Sequence, residues 1–129
     1  MTADDAGAAA VPPEVAAYID GLPPEHLELF LTLQRTILEA APDVRVVLSY
    51  KLPTYIGPAG RVSLSSGRDG VSIVTVDPEP IRRFTATHPD LPSGKVSVRF
   101  EGASGVPLAD VGALVRDAVS GLRPAYGTP

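Results

Sequence analysis

Apolar residues recur at three- and four-residue intervals in the first third of the chain and then switch to alternation, which predicts helices followed by strands. After Pro12 and Pro13, which suit a first helical turn, Val15, Tyr18 and Ile19 keep helical spacing until Gly21 stops it. Pro23 and Pro24 open a second helix that runs to about Ala41, because Pro42 cannot continue it and disfavours helical backbone just before itself. On a helical wheel Leu27, Phe30, Leu31, Leu33, Ile37, Leu38 and Ala41 share one broad side, opposite Glu25, Glu28, Thr32, Arg35, Thr36 and Glu39.

From Val44 the period is two: Val44, Val46, Leu48 and Tyr50 alternate with Arg45, Val47 and Ser49, as in a half-buried strand. Gly57-Pro58-Ala59-Gly60 marks a hairpin, and residues 61–66 and 71–76 read as strands joined by Gly67-Arg68-Asp69-Gly70. Asp77 caps a short helix with Pro78 at its first position and Ile81 and Phe84 inward, ending before Pro89. Residues 95–100 alternate again, with Val96, Val98 and Phe100 on one face and Lys95, Ser97 and Arg99 on the other. Pro107 opens the last helix, where Val111, Leu114, Val115, Ala118, Val119 and Leu122 form the apolar stripe despite Gly112 and Gly121. This order predicts an α+β fold: a two-layer sandwich of a largely antiparallel sheet, with the N-terminal helices and the C-terminal helix mainly on one face. The 129 residues make one domain over 12–123, with tails at 1–11 and 124–129.

The absence of cysteine excludes disulfides, thiolate metal sites and a cysteine nucleophile. No apolar run is long enough to span a bilayer and the acidic start is unlike a leader peptide, so the expectation is a soluble cytoplasmic protein. The formal charge of −4 is unevenly placed. Residues 1–43 hold eight acids and one base, a net of −7, whereas the remainder holds ten bases against seven acids. That balance argues against non-specific nucleic-acid binding. It is compatible with complementarity between layers, or with an acidic helical face and a mildly basic surface that attracts anions.

Three segments carry a family resemblance: LEAAP at 38–42, SYKLPTY at 49–55 and SGKVSVRF at 93–100, followed by a closing amphipathic helix. Over residues 13–123 the chain resembles the YdhG-like family, small bacterial domains often described as frataxin-like intracellular iron chaperones. Ser49, Tyr50, Leu52, Pro53 and Tyr55 match its core motif, with Lys51 where glycine is common, and Gly94, Lys95 and Phe100 match the later one. The resemblance implies a binding domain that carries iron weakly and exchangeably. Glu25 and Glu28, joined by Asp20, are the hard oxygen donors available for such a cation, while His26 reads as a partly buried or capping side chain and His88 as a loop residue.

A second reading uses Tyr50, Lys51, Pro53 and Tyr55 at a strand end beside a turn, with Lys95 and Arg99, as a cleft for a small anionic ligand or a protein partner. The bland alternative is two tyrosines packed across the sheet and a proline marking a bulge or edge. Ser93-Gly94-Lys95 lacks the glycine spacing of a phosphate loop. With two histidines and neither a nucleophile-elbow nor a zinc-protease motif, a non-catalytic protein is expected.

Overall fold

Prolines set the helix starts. In the computed structural model, which describes residues 11–120, α1 (Pro13–Asp20) and α2 (Pro24–Ala40) both begin at a proline, whose missing N–H costs nothing in a first turn. Ala41 caps α2 just before Pro42. In α3 (Pro78–Thr87) the Asp77 carboxylate accepts the Glu79 N–H at 3.0 Å, the capping bond expected of an acid in that place. A 3₁₀ turn (Ala103–Gly105) leads to α4 (Leu108–Ser120). Val11, expected in the tail, is half-buried against the core, whereas the rest of both tails and Leu122 lie outside the described residues.

The five strands β1 (Arg45–Ser49), β2 (Leu52–Ile56), β3 (Arg61–Ser66), β4 (Val71–Thr75) and β5 (Ser97–Phe100) form one antiparallel sheet in chain order. Register places Val46 opposite Tyr55, Tyr55 opposite Val62, Leu64 opposite Ile73, and Ile73 opposite Val98, so these side chains share one face. All four helices pack on that face: α1 against β1 and β2, α2 against β3 and β4, α3 against β4 and β5, and α4 against β3. The α+β sandwich read from the sequence is therefore the architecture, with one sheet face left uncovered among the described residues. No helix among the described residues is long and apolar enough to cross a membrane.

Several local expectations change. Residues 52–56, not separately predicted as a strand, form the second strand despite Pro53. Ser49 and Leu52 close a two-residue turn, so alternation makes Leu48 opposite Pro53 a pair that exchanges no hydrogen bonds, and β1 asks no N–H of the proline. The β3 ladder starts one residue later, at Thr54. The last strand begins at Ser97, leaving Lys95 and Val96 in a bend, and β4 stops at Thr75 with Val76 exposed. On α2 the buried stripe is His26, Leu29, Phe30, Leu33, Gln34 and Ile37, while Leu27 and Leu31 are exposed. Packing against both the sheet and α4 centres the contact on a narrower arc than the full apolar side of the wheel.

Polar side chains stitch the layers together. Tyr55 is fully buried on the inner face and donates to Gln34 Oε1 at 2.6 Å. Ser66 gives its backbone N–H to the Tyr18 hydroxyl at 3.0 Å, and its Oγ lies 2.9 Å from His26 Nδ1. The other end of the sandwich is held by backbone: Ala59 N–H donates to the Val119 carbonyl at 3.0 Å, bringing the β2–β3 turn onto the last turn of α4. That approach leaves no room for side chains, because a Cβ at Gly57 would stand 2.5 Å from Val119 O and one at Gly60 would stand 2.1 Å from Ala118 O.

Two predictions follow from these ties. Gly60→Ala lowers unfolding stability by about 2 kcal/mol, since α4 or the turn must give way, whereas Gly67→Ala, with nothing near its Cβ, changes it by at most about 1 kcal/mol; urea titration distinguishes them. Burial pushes the Tyr55 hydroxyl well above the ordinary tyrosine range, with the nearby Tyr18 adding to the shift. The fold favours the neutral phenol, so this stabilisation is complete below about pH 10 and is lost as pH rises above it. Absorbance titration at alkaline pH is expected to show one tyrosine ionising only with unfolding. Tyr55→Phe abolishes that signal and costs about 1–2 kcal/mol at neutral pH by orphaning Gln34.

Candidate functional site

Alternation along the strands fixes what the uncovered face presents. It carries the hydroxyls of Ser49, Thr54, Ser63, Ser65, Ser72 and Ser97, the guanidinium groups of Arg45, Arg61 and Arg99, and an apolar set formed by Val47, Leu52, Ile56 and Val74. None of the five strands contains an Asp or Glu. The positive excess of the second part of the sequence thus falls partly on this face, opposite the acidic helices.

The uncovered face is concave. Thr54 is 1% exposed although no helix lies over it, its hydroxyl donating to Leu52 O at 3.0 Å and lying 2.8 Å from Ser63 Oγ. Strand twist raises one diagonal of the sheet, and along it a groove of about 200 Å³ runs between Ser49, Tyr50 and Leu52 on one side and Arg61, Val74 and Val76 on the other, over Ser63. Arg61, Thr75 and Val76 also line a second volume of about 410 Å³ that continues past Ile56, Gly57 and Gly60 to Asp77 and Ala118. Among the described residues no carboxylate pairs with Arg61, whereas Arg82 and Arg83 pair with Glu79 and Arg99 with Glu101. The Asp77 carboxylate is engaged in capping α3.

The groove's Tyr50 wall comes from an unusual turn. Tyr50 and Lys51 are the two residues between the closing pair of the β1–β2 hairpin and have φ of 52° and 68°. Positive φ at both central positions is the type I′ arrangement, which suits strand twist but favours Asn-Gly and strains side chains larger than these. Tyr50 is 89% exposed there.

The residues expected to form a cleft are only partly brought together. Tyr50 lines the groove, and Lys51 is exposed beside it in the same turn. Pro53 and Tyr55 point to the opposite, helix-covered face, so the two tyrosines lie on different sides of β2 and Tyr55 is a core residue. Lys95 precedes β5, separated from Lys51 by β3 and β4, and shares no strand with Arg99. Arg99 does face the uncovered side, next to Ser72 and with β3 and β4 between it and the groove's Leu52, its Nη2 donating to Glu101 at 3.2 Å. Sequence reasoning missed Arg61, Ser63 and Val74. Alternation in β3 and β4 separates Arg61 and Ser63 from Val62 and Leu64, and that pattern was the available signal.

Asp20, Glu25 and Glu28 are all exposed, and among the described residues no group of three His, Asp or Glu side chains is placed to hold a metal ion. His26, the residue between the two glutamates, turns inward to Ser66. His88 caps the end of α3, stacks on Phe84 with ring centroids 4.6 Å apart and meets Asp110 at 2.7 Å through Nε2, tying α3 to α4 alongside the Arg83–Asp117 pair. No family model, curated protein or solved structure matches this chain.

Strain in the turn has a measurable sign. Lys51→Gly is expected to raise stability by about 1 kcal/mol, because glycine enters the left-handed region freely. Chemical denaturation of the variant checks this, and a destabilised variant contradicts the strained-turn account.

Proposed function

We propose that this chain is a non-catalytic binding domain that takes a small organic anion in the groove on its uncovered sheet face. The observation that carries the reading is Arg61, which among the described residues has no carboxylate partner and lines the groove together with Leu52, Val74, Val76, Ser49 and Ser63. A guanidinium offers several N–H donors in a fixed planar fork, the geometry that grips a carboxylate or phosphate with two parallel bonds. Ser49 supplies a further donor, the Ser63 hydroxyl being given to Thr54 Oγ1, and Leu52, Val74 and Val76 remove the ligand's apolar part from water. Lys51 and Arg45 add long-range attraction from the rim without touching the ligand. Iron carriage is not part of this reading, because Asp20, Glu25 and Glu28 gather no further donor.

Titration with acetate and with inorganic phosphate, followed by amide chemical shifts, tests the proposal. Saturable shifts at Ser49, Leu52, Ser63 and Val74 with Kd of about 1 mM are expected for ligands of so few atoms. Arg61→Gln weakens binding at least about tenfold, the loss typical of a charge-assisted pair. Arg82→Gln, on the far layer and paired with Glu79, leaves it unchanged. Absence of saturable shifts at these positions, or equal binding by Arg61→Gln, overturns the reading.

A further inference from the structure

We infer that the ligand of this groove is a planar aromatic acid, a ring carrying one carboxylate or phosphate, with Tyr50 as the surface on which the ring lies. The inference rests on the anion reading above and specifies the ligand's body. Tyr50 lines the groove on the side opposite Arg61 and is held there by the hairpin turn rather than by packing, since it is 89% exposed. A ligand gripped at Arg61 that lies in this groove, rather than in the second volume, extends its remaining atoms along Tyr50, Leu52, Val74 and Val76. Three of those four are aliphatic and the fourth is an aromatic plane, a combination that favours a flat apolar body over a polar or branched one.

Size agrees. A cavity of about 150 Å³ is known to admit benzene, and the groove offers about 200 Å³ before it opens past Arg61 into the second volume. The ring thus fits on the Tyr50 side with its anionic group at the boundary marked by Arg61. The turn supplies an independent argument. Two consecutive non-glycine residues at φ of 52° and 68° are an expensive way to close a hairpin, and such strain is characteristic of positions retained for contact with a ligand. Glycine at position 50 would relieve the backbone, but it would also remove the one aromatic ring that lines the groove among the described residues.

Isothermal titration of the full chain with benzoate and phenyl phosphate, against acetate and inorganic phosphate, tests the inference. Each ring-bearing acid is expected to bind about tenfold more tightly than its ringless counterpart, as ring stacking and apolar burial add to the anion contact. In Tyr50→Gly that ratio falls to about one while the thermal midpoint does not decrease, and Tyr50→Phe restores the ratio. The relative strength of benzoate and phenyl phosphate shows which anionic group the Arg61 end prefers. A ratio near one in the parent protein, with acetate or phosphate still bound through Arg61, overturns the aromatic ligand and leaves the anion reading standing. A high ratio that persists in Tyr50→Gly overturns the role of Tyr50. Failure of all four probes to bind overturns both readings together.

Discussion

The sheet is covered on one face only, and most of what distinguishes this molecule follows from that constraint. Four helices crowd the inner face, so each strand must bury every second side chain and can spend the others on polar groups. The alternation of Val62 and Leu64 with Arg61, Ser63 and Ser65 is the clearest case. Among the described residues no helix lies on the other side, and Thr54 is nonetheless 1% exposed there, hydrogen-bonded to Leu52 and Ser63. The groove is a consequence of how this sheet closes around its core.

Holding the two layers in register depends on few contacts, and they differ in kind. Beside the β3–β4 turn the Tyr18 hydroxyl and His26 imidazole meet Ser66, and further along the sheet Tyr55 meets the Gln34 carboxamide; at the β2–β3 turn, glycines allow bare backbone to meet the end of α4. Buried polar contacts such as Tyr55 with Gln34 specify an alignment more sharply than apolar packing, since an offset leaves both partners unsatisfied. Close backbone approach is equally unforgiving. Arg61 begins the strand that leaves the β2–β3 turn, so the same docking fixes the groove's cationic wall.

Charge is segregated by layer. Acids dominate α1 and the exposed side of α2, whereas the strands carry arginine and no acid. On α3 the basic side chains are neutralised locally, Arg82 by Glu79 and Arg83 by Glu79 and by Asp117 of α4. Arg61, exposed on the uncovered face, has no carboxylate partner among the described residues. An uneven distribution of charge along the sequence has therefore become a directional one in space.

Helix starts at Pro13, Pro24 and Pro78, the Asp77 cap, the paired strands of residues 61–66 and 71–76 and the one-sided sandwich were all determined by local sequence, because proline, capping acids and period-two alternation act over a few residues. The Tyr50-Lys51 turn was harder to read, since neither residue advertises positive φ and the strand pattern runs into it without a break. Pro53 similarly concealed a central strand, which is tolerated only because register places it in a pair without hydrogen bonds. Alternation states that Tyr50 and Tyr55, or Arg61 and Val62, differ in direction, but it does not say which direction meets helices. Tertiary structure alone decided that Tyr55 enters the core, that Lys95 and Lys51 stand apart, and that Arg61 and Tyr50 line one groove. Those outcomes depend on which face the helices cover and on the accumulated twist across strands, both of which arise from contacts between residues distant along the chain.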